Sequence, residues 1–303
     1  MTSALDIKRD VILKPYTTMK CGGPARFFAE PDSEDSVGEA FSFAKKEGLP
    51  VLVLGAGSNV LISDKGFDGL VIRIGRNMSS IRTEVSEGVG IIECQAGATL
   101  ASFGAACVKE GLEGAEFCCG IPGAVGGAVY MNAGAYGRQM DDIVTGVTYW
   151  KDGDIRTLSR EDLGFGYRTS VFESMEDTVI LGMTARVPCG DKDKIKAYVE
   201  ELRDKRVNSQ PLNLPSAGST FKRPEGHYAG RLIEDSGLKG FALDNSGAQV
   251  SPKHAGFVVN NNGSASAEDI LKLIDYISGK VFEDSGVRLE REVRLIGEFG
   301  GKR

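Results

Sequence analysis

The chain has 303 residues, 41% hydrophobic and 26% charged, which is ample for two domains and excludes a disordered polypeptide. Its 36 lysines and arginines stand against 42 aspartates and glutamates. The net charge of −6 excludes a nucleic-acid binder driven by phosphate neutralisation. Two histidines, His227 and His254, exclude a three-histidine zinc site, and six cysteines with no CxxC spacing exclude a redox dithiol or zinc ribbon.

The first residues, MTSALDIKRDVILK, lack the apolar centre of a signal peptide, so a cytoplasmic location is expected. The periodicity then predicts a helix over 32–46, with Val37, Ala40, Phe41 and Ala44 on one face and Gly48 as its stop. Strands are expected at 51–54 and 69–74, separated by the loop GAGSNVLISDKG, and another at 91–95. A helix follows at 99–110, closed by Gly111. Residues 117–137 carry no charge but hold six glycines and Pro122, which predicts a tightly packed segment rather than a membrane span. Residues 144–150 and 155–158 read as a hairpin about Asp152-Gly153, Ser159 with Asp162 as a helix start, and 179–187 as a strand. Further helices are expected at 193–205 and 270–282, and alternation predicts a strand over VRLEREVRLIG at 287–297. Strands come singly and in hairpins, so the class is α+β.

Forty glycines is roughly twice the usual ~7%. They cluster between apolar runs, where a backbone must approach something closely. Gly55-Ala56-Gly57 follows a strand as a dinucleotide fingerprint does, but Val60 stands where a third glycine belongs and no crossover helix follows. A nicotinamide dehydrogenase of the Rossmann class is therefore the last choice. Successive N–H groups of GAGSN, with Ser58 and Asn59, suit a phosphate. Pro122 in GIPGAVGG suits a helix start, whose N–H groups also attract anions. Two such loops fit a pyrophosphate; the plainer alternative is a tight turn and a small-residue helix contact.

KCGGPARFF at 20–28, LGAGSNVLI at 54–62, GIPGAVGGAVYMNAGAYG at 120–137, YRTSVF at 167–172, AGSTFKRP at 217–224, KHAGFVVN at 253–260 and LEREVRLIG at 289–297 occur in this order. Together they resemble the MurB family of UDP-N-acetylenolpyruvoylglucosamine reductases, from about Lys14 to Glu298. The resemblance implies a two-subdomain FAD-binding module of the PCMH/vanillyl-alcohol-oxidase type over 1–200 (subdomains about 1–78 and 79–200). It also implies a C-terminal α+β domain over 201–303 that binds the UDP-sugar. It implies FAD as bound cofactor, NADPH as hydride donor and UDP-N-acetylglucosamine enolpyruvate as the second small-molecule substrate. The product, UDP-N-acetylmuramate, places the reaction in peptidoglycan and cell-wall synthesis. No nucleic acid, metal or membrane insertion is expected, and a monomer is favoured.

By the same resemblance, Gly55, Ala56, Gly57, Ser58, Asn59, Val60, Gly120, Ile121, Pro122, Gly123, Gly126, Gly127, Asn132 and Ala133 hold the cofactor. Arg168 draws charge onto the substrate carboxylate, Ser219 gives the proton, and Glu292 assists polarisation; Glu290 is its strand neighbour without a role. Tyr167, Lys205, Lys222, Arg223 and His254 are the expected substrate contacts, and Arg206 is a further cation available to a diphosphate. Arg223 stands where many relatives carry asparagine. Tyr130 and Tyr136 are left between flavin and core. Only VPCGDKD precedes the 193–205 helix, so the chain resembles the compact subtype without a tyrosine-bearing loop insertion. Two further readings are an oxidase of the same flavoprotein fold and a flavin-free nucleotide-sugar binding protein.

Overall fold

The computed structural model describes residues 5–300. The chain divides into two compact units that are discontinuous in sequence. Of the described residues, the first comprises 5–8, 28–56 and 69–206, the second 9–27, 57–68 and 207–300.

In the first unit, helix Glu34–Glu47 begins where Ser33 accepts from the Ser36 N–H and ends at Gly48, whose φ of 64° lets the chain turn back. Phe41 from this helix stacks on Trp150 with ring centroids 4.3 Å apart. Strand Val51–Leu54 pairs in parallel with Phe67–Arg73, Val51 opposite Leu70. A five-stranded antiparallel sheet runs Asp154–Ser159, Val144–Lys151, Thr178–Pro188, Val89–Gln95, Ile81–Ser86. Its hairpin turns at Asp152 (φ 53°) and Gly153 (φ 90°), the left-handed pair that matches strand twist. Helix Leu100–Glu110 is capped by Thr99 and closed by Gly111. Helix Lys192–Ser209 extends the expected 193–205 helix at both ends and runs through the division at Arg206/Val207.

The second unit is organised around helix Ala267–Ser285, whose Ile270, Ile274, Ile277 and Val281 are fully buried against Leu61, Val250, Val258 and Ile233. Strands Ala248–Val250 and Val258–Asn260 form an antiparallel pair, and helix Ala229–Asp235 packs nearby. Strand Val60–Ile62 pairs in parallel with Arg294–Ile296, Leu61 opposite Leu295.

The predicted strand over 287–297 is therefore cut to three residues. Its early part bonds to residues 220–222 instead: Lys222 N–H donates to Glu290 O and Glu292 N–H to Thr220 O. That partner segment is irregular, so pairing there is a single bridge, Phe221 with Arg291. No helix of the described residues is long and apolar enough to cross a membrane.

Asp64 reaches from the loop after Val60–Ile62 to helix Ala267–Ser285, accepting from Ala267 N–H at 2.9 Å and Glu268 N–H at 3.0 Å. These donors have no partner inside the helix. Asp64→Ala should lower the stability of the protein by about 1 kcal/mol, as cap removals do, read as an earlier midpoint in urea. An unchanged midpoint would show the helix start to be satisfied by Ser266 alone.

Candidate functional site

The GAGSN loop crosses between the units at Ala56/Gly57. In the first unit Gly55 lies against the second glycine segment: a Cβ built on it would sit 3.3 Å from the Ala124 Cβ. In the second unit Gly57 has φ 63°, and a Cβ there would lie 2.1 Å from Tyr16 O. Gly57 is buried, and its own carbonyl accepts from Thr18 N–H at 3.1 Å. Glycine at 57 is thus required by the chain's own packing, before any ligand is considered. Asn59 donates through Nδ2 to Glu292 O at 3.0 Å, and its own carbonyl accepts from Arg294 N–H at 3.0 Å. Val60 opens the strand that follows.

Pro122 does not start the helix. Gly120 ends a short 3-10 turn, Gly123 O accepts from Leu100 N–H, and the helix spans only Val125–Tyr130. Its Val125 and Gly126 N–H groups are taken by Ala98 O (2.8 Å) and Ala96 O (2.9 Å). The helix therefore starts three residues after Pro122, and its first two N–H groups are engaged by the chain itself. Gly126 is packed tightly against Ala96, whereas Gly127 faces open space, with nothing within 4 Å of a built Cβ. Beside Gly120 lies Arg206, its Cδ and Nη1 3.4 Å from the position a Cβ would take. Its Nε is buried without a hydrogen-bond partner, and burial lowers its pKa. A buried Nε without an acceptor beside a glycine segment fits a phosphate or carbonyl oxygen brought by a ligand. The residues present therefore fit an anionic dinucleotide, with Arg206 as the group the glycine motifs did not reveal. Its only sequence signal was a cation late in a helix.

Ile121 closes the 3-10 turn. Ala133 carries main-chain bonds to Ala128 and Met140. Asn132 is fully buried: its Nδ2 donates to Gly166 O and its Oδ1 accepts from Asp141 N–H, both at 2.9 Å. Tyr136 donates its hydroxyl to Leu202 O at 3.2 Å. Arg168 has φ 59° and donates to Gly134 O at 3.3 Å; its guanidinium lies 5.1 Å from the Tyr167 ring centre.

Two of the predicted catalytic residues are brought together within the second unit. Thr220, next to Ser219, donates its N–H to Gly256 O, and its hydroxyl accepts from Val258 N–H. Its carbonyl accepts from Glu292 N–H at 2.9 Å. Ser219 is exposed and follows Gly218, whose φ is 76°. Glu292 is half-buried, and Asn59 ties its carbonyl to the glycine loop. Glu290 points instead to Lys222, Oε1 to Nζ 2.5 Å. Arg223 lies over the Tyr228 ring at 4.0 Å. Lys205 pairs with Glu201 one turn back on its helix, an exposed bond at 2.5 Å. His254 is half-buried; its Nδ1 accepts from Gly256 N–H at 3.1 Å, so a proton sits on Nε2, and burial lowers its pKa.

A family model described as "UDP-N-acetylenolpyruvoylglucosamine reductase, C-terminal domain" matches residues 210–296, and one described as "FAD binding domain" matches residues 25–159. The chain is 46% identical to the UDP-N-acetylenolpyruvoylglucosamine reductase of Agathobacter rectalis, over 97% of this chain and 95% of that protein. It is 44% identical to that of Clostridioides difficile, over 97% and 94%. The crystal structure of UDP-N-acetylenolpyruvylglucosamine reductase (MurB) from Thermus caldophilus matches with a TM-score of 0.82 at 33% identity, covering 97% of this chain and all of that one.

Gly57→Ala should destabilise the ligand-free protein by more than ~1 kcal/mol, through the left-handed φ and the Tyr16 carbonyl. Gly127→Ala should leave it unchanged or slightly stabilised, since alanine is the better helix former. Equal effects in chemical denaturation would contradict this division. For His254 the folded pKa lies below the unfolded value near 6.5. The unfolded chain therefore takes up the proton first, and stability falls as pH drops below about 6.5 toward the folded pKa. His254→Gln should flatten that part of the stability profile; an unchanged slope would assign it to other groups.

Proposed function

The chain belongs to the UDP-N-acetylenolpyruvoylglucosamine reductase family and is an FAD-dependent oxidoreductase of peptidoglycan precursor synthesis that draws on NADPH; from that premise we propose how its residues carry the reaction. When bound, FAD would supply the redox chemistry, hydride transfer between NADPH and the β-carbon of UDP-N-acetylglucosamine enolpyruvate.

Residues 57–59 of the second unit, and Gly127 and Arg206 of the first, are each candidate contacts for the cofactor's diphosphate; for Arg206 the buried, unpartnered Nε supports this. Arg168 binds the enolpyruvyl carboxylate with paired donors and draws the developing charge away from the α-carbon. Ser219 delivers the proton to that carbon. Its hydroxyl stands exposed on a segment pinned by Thr220, so it is oriented without being spent on an internal bond. Glu292 steadies the enol form of the same carboxylate. The observation that carries the reading is the link Ser219–Thr220–Glu292–Asn59, which ties two of the catalytic positions to the glycine loop through one main-chain bond and the Asn59 side-chain amide. Lys222, Arg223, Tyr167 and His254 contact the UDP-sugar. Lys205, held by Glu201, contributes general positive charge.

The UDP-sugar domain begins in sequence near residue 200, while the second compact unit also draws in residues 9–27 and 57–68. The protein works as a cytoplasmic monomer. All six cysteines are free, and burial pushes the Cys94 and Cys107 thiols up to about 12, which suits a reducing compartment.

Stopped-flow spectroscopy separates the two half-reactions. Ser219→Ala should leave flavin bleaching by NADPH unchanged and slow reoxidation by the enolpyruvyl substrate by ~10²-fold or more. Glu292→Gln should impair that same half, and Glu290→Gln should not. Equal loss in both halves, or equivalence of the two glutamates, would remove the assignment.

A further inference from the structure

Arg168 occupies a position that its residue type does not favour. Gly166 N–H donates to Thr169 O at 3.1 Å and Thr169 N–H returns to Gly166 O at 3.4 Å, closing a two-residue turn of Tyr167 and Arg168. Arg168 is the second residue of that turn, with φ 59°. A left-handed φ at this place selects glycine or asparagine, and a long side chain there is strained. Such strain persists only where the surroundings hold it.

Three of the contacts that hold it come from one segment, residues 130–134. Ser170 donates its hydroxyl to Tyr130 O at 2.8 Å, and Arg168 donates to Gly134 O at 3.3 Å. Between them, Asn132 donates Nδ2 to the Gly166 carbonyl at 2.9 Å, the same carbonyl that closes the turn. Its Oδ1 is occupied by Asp141 N–H, the side chain is fully buried, and Asn132 is itself left-handed at φ 46°. A residue sealed from solvent, with both ends of its amide engaged by the chain, is built to fix its neighbours.

We propose that Asn132 is the positioning residue of Arg168: its buried amide holds the Gly166–Thr169 turn so that the guanidinium stays aimed where the substrate carboxylate binds. This rests on the catalytic reading of Arg168 above. It moves Asn132 from the cofactor's contacts to the substrate half of the reaction.

Two variants test it. Asn132→Asp keeps the tolerance for left-handed φ and the acceptor for Asp141, and loses the donor to Gly166. Asn132→Gly keeps the φ and loses the amide. Both should retain the flavin absorption of the parent per mole of protein and bleach normally with NADPH. Reoxidation by UDP-N-acetylglucosamine enolpyruvate should slow ~10- to 100-fold, the usual effect of a misplaced orienting group. In the holoprotein, trypsin should cut the Arg168–Thr169 bond several-fold faster, as measured by mass spectrometry, which reads the turn without reference to activity. On an Arg168→Ala background, Asn132→Asp should slow reoxidation no further, because both changes remove one function. Loss of flavin or failure to fold in both variants would overturn the proposal. So would equal slowing of both half-reactions, or additive effects in the double variant. If Arg168→Ala alone leaves reoxidation unchanged, the catalytic reading fails, and the trypsin result still decides whether Asn132 holds the turn.

Discussion

A three-residue parallel pairing carries much of the second unit's chemistry. Val60–Ile62 lies beside Arg294–Ile296, although more than two hundred residues separate the strands along the chain. Parallel strands cannot be joined by a tight turn. The pairing therefore fixes a long-range register that local sequence could not enforce. Once Leu61 stands opposite Leu295, Asn59 must face the segment before Arg294. Its amide finds the Glu292 carbonyl there, and Glu292 N–H finds Thr220. The buried helix Ala267–Ser285 secures the arrangement from below through Leu61, and Asp64 ties its first turn to the same loop. A slip of one residue would reverse every side chain on that strand and detach the glutamate from the loop.

In both units, candidate site positions are set by main-chain geometry more than by side-chain ion pairs. Arg168 and Asn132 take left-handed φ without being glycine, and Gly57 takes it with a carbonyl 2.1 Å from where a Cβ would be. These conformations cost free energy in isolation and need a surrounding lattice of hydrogen bonds. Exposed cations such as Lys205 are instead matched with nearby carboxylates, which contribute little. The net charge of −6 and a site for anionic ligands are compatible on these terms. Local positive potential comes from shielded groups such as Arg206, where few competing carboxylates and little water screen it.

Elements written in local code were legible in the sequence. The helix Glu34–Glu47 has its serine cap and glycine stop, Leu100–Glu110 has Thr99 and Gly111, and the Asp152-Gly153 hairpin has its turn residues. The last strand is shorter than its alternation predicts. Alternation over 287–297 reports an extended chain, but a strand also needs a regular partner, and residues 220–222 supply only one bridge. Val60–Ile62 carries no signal of its own for the complementary reason: its partner lies at the other end of the chain, and three residues carry no period. The helix Val125–Tyr130 was mislocated because Pro122 is a common first helical residue, while the true start is decided by tertiary bonds to Ala96 and Ala98.

Candidate-site residues followed the same division. Ser219, Glu292 and Arg168 were identifiable only as members of a motif set, since a loop serine, a strand-face glutamate and an arginine after tyrosine are each ordinary. What distinguishes them is who holds them, and that information is tertiary. Glu290 and Glu292 are two residues apart and chemically identical, yet one is exposed and faces Lys222 and the other is half-buried with its main chain gripped on both sides. Glu292 is thus fixed through its backbone, whereas Glu290 is matched to a lysine through its side chain. The asymmetry arises because the single bridge between Phe221 and Arg291 places Glu290 beside Lys222 and leaves Glu292 to Thr220 and Asn59.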